Sequence, residues 1–169
     1  MEIVPYHSRR FWPQVDPLFS TIVEIPHGRT VEIAEGDTGF GFVHAGTAAT
    51  EAGSFRQELH TGMFFSAPGP ASLIGLNGFV CIRKAYRGLP IWGGPIEFLG
   101  RLKYIDGCSD TLLLAPPIKG DPCLNYLYVP PGVDQTAHTH PSVRVGCIVE
   151  GAGKCVLSDQ TIDLVSGVI

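Results

Sequence analysis

An all-β fold, a barrel or sandwich of short strands, is what this sequence predicts. Gly and Pro are frequent (21 and 14 of 169 residues) without the triplet period of collagen, so many tight turns are expected. Short β-branched and aromatic runs recur between those turns, and no segment sustains a helical period.

Taken in order, residues 1–19 read as an irregular lead-in, because Pro5, Pro13 and Pro17 discourage a long helix. Strands are expected at residues 30–33, which are β-branched, and at 39–45, which mix aromatics with glycine. Residues 55–65 alternate in part around Gly62. Asn77-Gly78 lies between the apolar runs Leu73-Ile74 and Phe79-Val80-Cys81-Ile82 and predicts a hairpin over residues 72–83. The Gly/Pro-rich residues 88–95 read as a connection. Further strands are expected at 101–105, 111–115, 124–129, 138–140, 144–149, 154–157 and 161–165. Residues 5–19 and 48–57 are the only helix candidates, both weak. The chain divides into the lead-in (1–19), a first unit (20–94) and a second unit (95–169).

Several classes of function fall away. The net charge is −4 with no long basic run, which disfavours electrostatic binding of nucleic acid. No apolar stretch approaches the roughly eighteen residues of a membrane span. Five cysteines, an odd number without a CxxC spacing, follow a polar and aromatic start, so reduced thiols in a cytoplasmic protein are expected. There is no P-loop, no GxGxxG before a helix and no GxSxG elbow.

The most informative segment is residues 132–151, with His138-Thr139-His140 after a Pro130-Pro131-Gly132 turn. On a strand, alternate side chains share a face, so His138 and His140 could reach one metal ion. Neutral imidazole suits Fe, Mn, Ni, Zn and Cu to differing degrees.

Gly132, five residues, His138-x-His140, three residues, Arg144, six residues and Gly151 resemble the first motif of the cupin superfamily. The resemblance implies a double-stranded β-helix, the jelly-roll barrel. It also implies a divalent metal held by these two histidines, a glutamate and a third histidine from a second motif. Arg144 occupies the glutamate position. Residues 164–169 resemble the opening of the second motif, and no third histidine follows, as expected of a C-terminally truncated second cupin unit. Residues 62–70, with Gly62 and Pro68, resemble the same opening in a first unit without the metal histidines. The whole then reads as a truncated bicupin. Open strand edges would favour a homo-oligomer.

His138 and His140 are therefore candidate metal ligands. Arg144 is a candidate anchor for an anionic substrate, because its planar fork matches carboxylate or phosphate, or else a partner of a carboxylate such as Glu150 or Asp134, or simply an exposed residue. Tyr126 and Tyr128 share a strand face and either line the pocket or pack in the core. His7, His27, His44 and His60 read as ordinary surface or hydrogen-bonded residues. No catalytic residue is assigned. The expected function is binding or transforming a small organic, even anionic, molecule, with a divalent metal at His138 and His140. As an enzyme it would be a dioxygenase, isomerase, lyase or decarboxylase. The alternatives are a metal-free epimerase, with histidine as base and Asp134 as its carboxylate partner, and a ligand-binding sensor without catalysis.

Overall fold

The computed structural model describes residues 2–16, 19–116, 121–138, 140 and 143–169. The β-rich segments form fifteen strands among these residues. Up to residue 94 these are β1 (Arg10–Trp12), β2 (Thr21–Ile25), β3 (Val31–Ile33), β4 (Thr38–Val43), β5 (Thr47–Ala52), β6 (Phe55–His60), β7 (Phe64–Pro68), β8 (Ala71–Ile74), β9 (Gly78–Arg83) and β10 (Ile91–Gly93). Then come β11 (Leu102–Lys103), β12 (Ser109–Leu114), β13 (Leu124–Tyr128), β14 (Ala152–Val156) and β15 (Thr161–Val165). The protein is all-β in several antiparallel sheets, with no α-helix among the described residues.

One six-stranded sheet runs β1-β2-β9-β4-β7-β10, and a four-stranded sheet runs β3-β8-β5-β6. Alternation turns one side of each strand inward. Val31 and Ile33 of β3, Leu59 of β6, Phe65 and Ala67 of β7, Leu73 of β8, and Val80 and Ile82 of β9 thus share one core. Each large side chain so buried contributes about 1.5–3 kcal/mol. Gly41 makes this packing possible: a Cβ there would lie 2.5 Å from the Phe65 ring and 2.4 Å from the Phe79 carbonyl oxygen.

The buried carboxylate of Asp37, at the start of β4, accepts hydrogen bonds from Lys84 Nζ and from the Ala85 amide at 2.9 Å. Next to it, Thr38 Oγ1 donates to the Tyr86 carbonyl (2.6 Å) and accepts from the Gly88 amide (2.9 Å). These bonds fix the path by which the chain leaves β9.

Residues 95–169 are built differently. β11-β12-β13 form a three-stranded sheet and β14-β15 a hairpin. Among the described residues, the buried apolar side chains beyond residue 94 are Cys108 and Leu114, whereas Leu102, Leu112, Leu127, Val129 and Val156 are exposed. The second unit therefore has little core of its own. It is tied to the lead-in by main-chain bonds: Val4 and Ile169 exchange both amide bonds (2.9 and 2.8 Å), and the Tyr6 amide donates to the Gly167 carbonyl (2.8 Å).

Several expectations need correction. Asn77-Gly78 is not a hairpin turn. β8 pairs with β3 and β5 in one sheet and β9 with β2 and β4 in the other, so the dipeptide carries the chain between sheets. There the Asn77 carbonyl accepts the amides of His44 and Ala45 (2.9 and 3.1 Å). Residues 55–65 form two strands, because Thr61-Gly62 makes a turn with Gly62 at φ 84°. The helix candidate at 48–57 is the β5–β6 hairpin. That at 5–19 contains the edge strand β1, Pro17 and Leu18 lying outside the described residues. The connection at 88–95 contributes β10 to the sheet, paired with β7. No strand forms at 144–149, nor at His138 and His140, Thr139 being outside the described residues.

Candidate functional site

The loop that carries the histidines starts at the turn Pro130-Pro131-Gly132, where Gly132 has φ 80° and the Val133 amide donates to the Pro130 carbonyl (3.3 Å). From there it is pinned to the 3-10 turn Ile105–Gly107 and to Cys108. The Thr136 amide donates to Asp106 Oδ2 at 2.6 Å, and Gln135 Nε2 donates to Cys108 Sγ at 3.5 Å. Asp106 reaches this position through a left-handed backbone, φ 55°. The Thr136 hydrogen bonds, with a smaller effect of the His138 charge, hold its carboxyl below the ordinary value against the cost of desolvation.

His138 and His140 do come together, without a strand. Their rings meet edge to face with centroids 4.8 Å apart. His138 Nδ1 lies 2.8 Å from the Thr136 carbonyl oxygen. A carbonyl can only accept, so Nδ1 carries the proton and, in the neutral ring, Nε2 keeps the lone pair. His140 is the reverse. Arg144 Nη2 lies 2.5 Å from its Nδ1, and a guanidinium can only donate, so the Nδ1 lone pair is engaged and Nε2 carries the proton. Loss of hydration, the Arg144 charge and His138 hold the His140 imidazole below its ordinary pKa. All three side chains are exposed.

Arg144 thus pairs with His140 rather than with Glu150 or Asp134. The carboxylate hydrogen-bonded to the loop's main chain is Asp106 rather than Asp134. The sequence reading missed it because it lies 30 residues before Thr136, and the one local signal was the turn dipeptide Asp106-Gly107.

Tyr126 and Tyr128 share a face of β13, as expected, but belong elsewhere. Tyr126 Oη donates to the Phe98 carbonyl (2.9 Å), and the Tyr128 ring packs on Phe98 at 5.6 Å. Tyr126 lines a cleft of about 230 Å³ with Phe64, Pro95, Glu97, Arg101 and Thr111. Burial, with smaller effects of Tyr128 and Glu150, raises its phenol pKa. No hydrogen bond or ring contact among the described residues joins either tyrosine to the histidine loop.

His44 is hydrogen-bonded, one of the two settings expected for it. It is half-buried, its ring lies 4.5 Å from that of Tyr6, and its Nδ1 is 3.8 Å from Cys147 Sγ. Burial lowers the His44 pKa and pushes the Cys147 thiol up to about 12, so this is a neutral pair and not an activated nucleophile. None of the five cysteines forms a disulfide.

As arranged, the residues do not fit the metal that the cupin resemblance implies. The pair offers one imidazole lone pair, at His138 Nε2. No group of three His, Cys, Asp or Glu side chains converges among the described residues. Among these residues, too, no helix is long and apolar enough to cross a membrane. Comparison with protein-family models, with curated proteins and with solved structures gives no match.

Proposed function

We propose that this chain is a cupin-type, jelly-roll protein that binds a small organic molecule at the loop bearing His138, His140 and Arg144. The strand orders support the fold half of this reading. β2-β9-β4-β7 facing β3-β8-β5-β6 is the order of two interlocked Greek keys in a double-sheet jelly roll. The interior of that unit is filled by Leu59, Phe65 and Leu73, so the reading takes the ligand to an exposed surface. One observation carries the site half: the edge-to-face His138–His140 pair with Arg144 on Nδ1 of His140, three exposed polar groups held in one place.

A thermal-shift screen of small organic molecules tests the proposal. Ligands at about one hundred times Kd raise Tm by about 5–10 °C. The shift is expected to vanish in the His138→Ala/His140→Ala double variant. If no compound shifts the wild type, or if every shift survives in the double variant, the loop is not the site.

A further inference from the structure

The arrangement of the loop selects between ligand classes, and this inference rests on the proposed reading of the loop as a ligand site. A neutral imidazole has one nitrogen with a lone pair to give. In His140 that nitrogen is Nδ1, and Arg144 Nη2 already occupies it at 2.5 Å. The other nitrogen carries a proton and is a donor. A cation approaching the pair therefore meets one lone pair, on His138, and a guanidinium that repels it.

An anion meets the opposite. Only Nη2 of the guanidinium faces His140, and among the described residues Arg144 takes part in no ion pair. Its remaining N–H groups and His140 Nε2–H are donors on an exposed loop. Asp106, the carboxylate whose charge reaches His138, is committed through Oδ2 to the Thr136 amide and so is held in the loop's own hydrogen bonding. A guanidinium edge presents two parallel N–H groups, which match the two oxygens of a carboxylate.

We propose that this loop is a receptor for an organic carboxylate in which Arg144 supplies the positive charge, and that Arg144, while bonded to His140, keeps divalent metal out. Arg144 is then the residue that determines specificity at the site.

The test is calorimetric titration of the whole chain with benzoate and, separately, with Ni(II), for the wild type, Arg144→Gln and Arg144→Lys. The wild type is expected to bind benzoate, and Arg144→Gln to lose at least tenfold in that affinity while gaining at least tenfold for Ni(II). Arg144→Lys keeps the charge but not the fork, so it should lose benzoate affinity without gaining Ni(II). The Ni(II) gain of Arg144→Gln should disappear when His138→Ala and His140→Ala are added. Arg144 is exposed, and circular dichroism of each variant checks that the fold persists. Any other pattern overturns the inference, in particular tight Ni(II) binding by the wild type or Ni(II) affinity unchanged in Arg144→Gln. If the thermal screen finds neutral molecules at the loop but benzoate does not bind, the carboxylate inference fails and the small-molecule reading stands. If nothing binds at the loop, both fail.

Discussion

His138 and His140 present the same ring nitrogen, Nδ1, to the protein in opposite roles. His138 donates from Nδ1 to the Thr136 carbonyl, whereas His140 accepts at Nδ1 from Arg144. Two histidines one residue apart are thus held in different tautomers by different partners. Ring ¹⁵N spectra above the imidazole pKa values should show His138 protonated at Nδ1 and His140 at Nε2. Arg144→Gln should release His140 to a mixture of tautomers and leave His138 unchanged. Identical tautomers in the wild type would contradict the loop geometry.

Asp106 should control the order of the loop and not the stability of the fold. Asp106→Asn is expected to speed hydrogen exchange at the Thr136 amide, with little change in Tm, because loop opening is a local event. The Asp106 pKa is depressed in the folded state, chiefly by the Thr136 hydrogen bonds, so its contribution is present above the ordinary carboxylate pKa and lost as pH falls through the folded value. Thr136 exchange, corrected for its intrinsic pH dependence, should therefore accelerate at acid pH in the wild type and not in the variant.

Asp37 should carry part of the acid sensitivity of the fold. Burial raises its pKa, but the Lys84 and Ala85 hydrogen bonds and the Lys84 charge outweigh that and leave it depressed. A depressed carboxylate stabilises the fold above its unfolded pKa and ceases to do so as pH falls through its folded pKa. Asp37→Asn is expected to cost about 1–3 kcal/mol in urea unfolding at neutral pH. The difference from wild type should shrink toward pH 3, and a constant difference would refute the assignment.

The two units should respond unequally to truncation. Phe65→Ala empties the middle of the core and should cost about 3–5 kcal/mol. Leu127→Ala removes an exposed side chain and should change stability by no more than about 0.5 kcal/mol. Urea unfolding of both variants gives the comparison, and equal losses would mean that the second unit has a core of its own.

Thiol reactivity should follow burial. Burial pushes both Cys81 and Cys147 up to about 12, whereas Cys123 is exposed. The thiolate is the reacting form, so at pH 8 iodoacetamide should label Cys123 at least about a hundredfold faster than either. Peptide mass mapping over time reads the order. Fast labelling of Cys147 would show that its contact with His44 is open.

Much of the strand content was legible in the sequence, because β-branched and aromatic alternation is local. β3, β4, β12, β13, β14 and β15 fall within a few residues of where the pattern predicts them. Pairing was not legible. The Asn77-Gly78 dipeptide has the chemistry of a hairpin turn, yet the strands on either side join different sheets, since burying Leu73 and Val80 in one core requires them to approach from opposite sides. The helix candidate at 48–57 failed for a related reason: the cross-strand partners that make it a hairpin do not show in a local pattern.

At the loop, the spacing of His138, His140 and Arg144 was visible in the sequence, and with it the expectation of a shared site. Which ring nitrogen each histidine offers was not, because that depends on a carbonyl and a guanidinium brought to hydrogen-bond distance by the backbone. Nor could the sequence separate Tyr126 and Tyr128 from the histidines, or bring in Asp106 from 30 residues away. By itself, then, the sequence determined the residue types and their local periodicity, which follow from side-chain chemistry and backbone preference. Only the tertiary structure decided strand order, the distribution of the core and the direction of each hydrogen bond at the loop, because these depend on contacts between residues far apart in the chain.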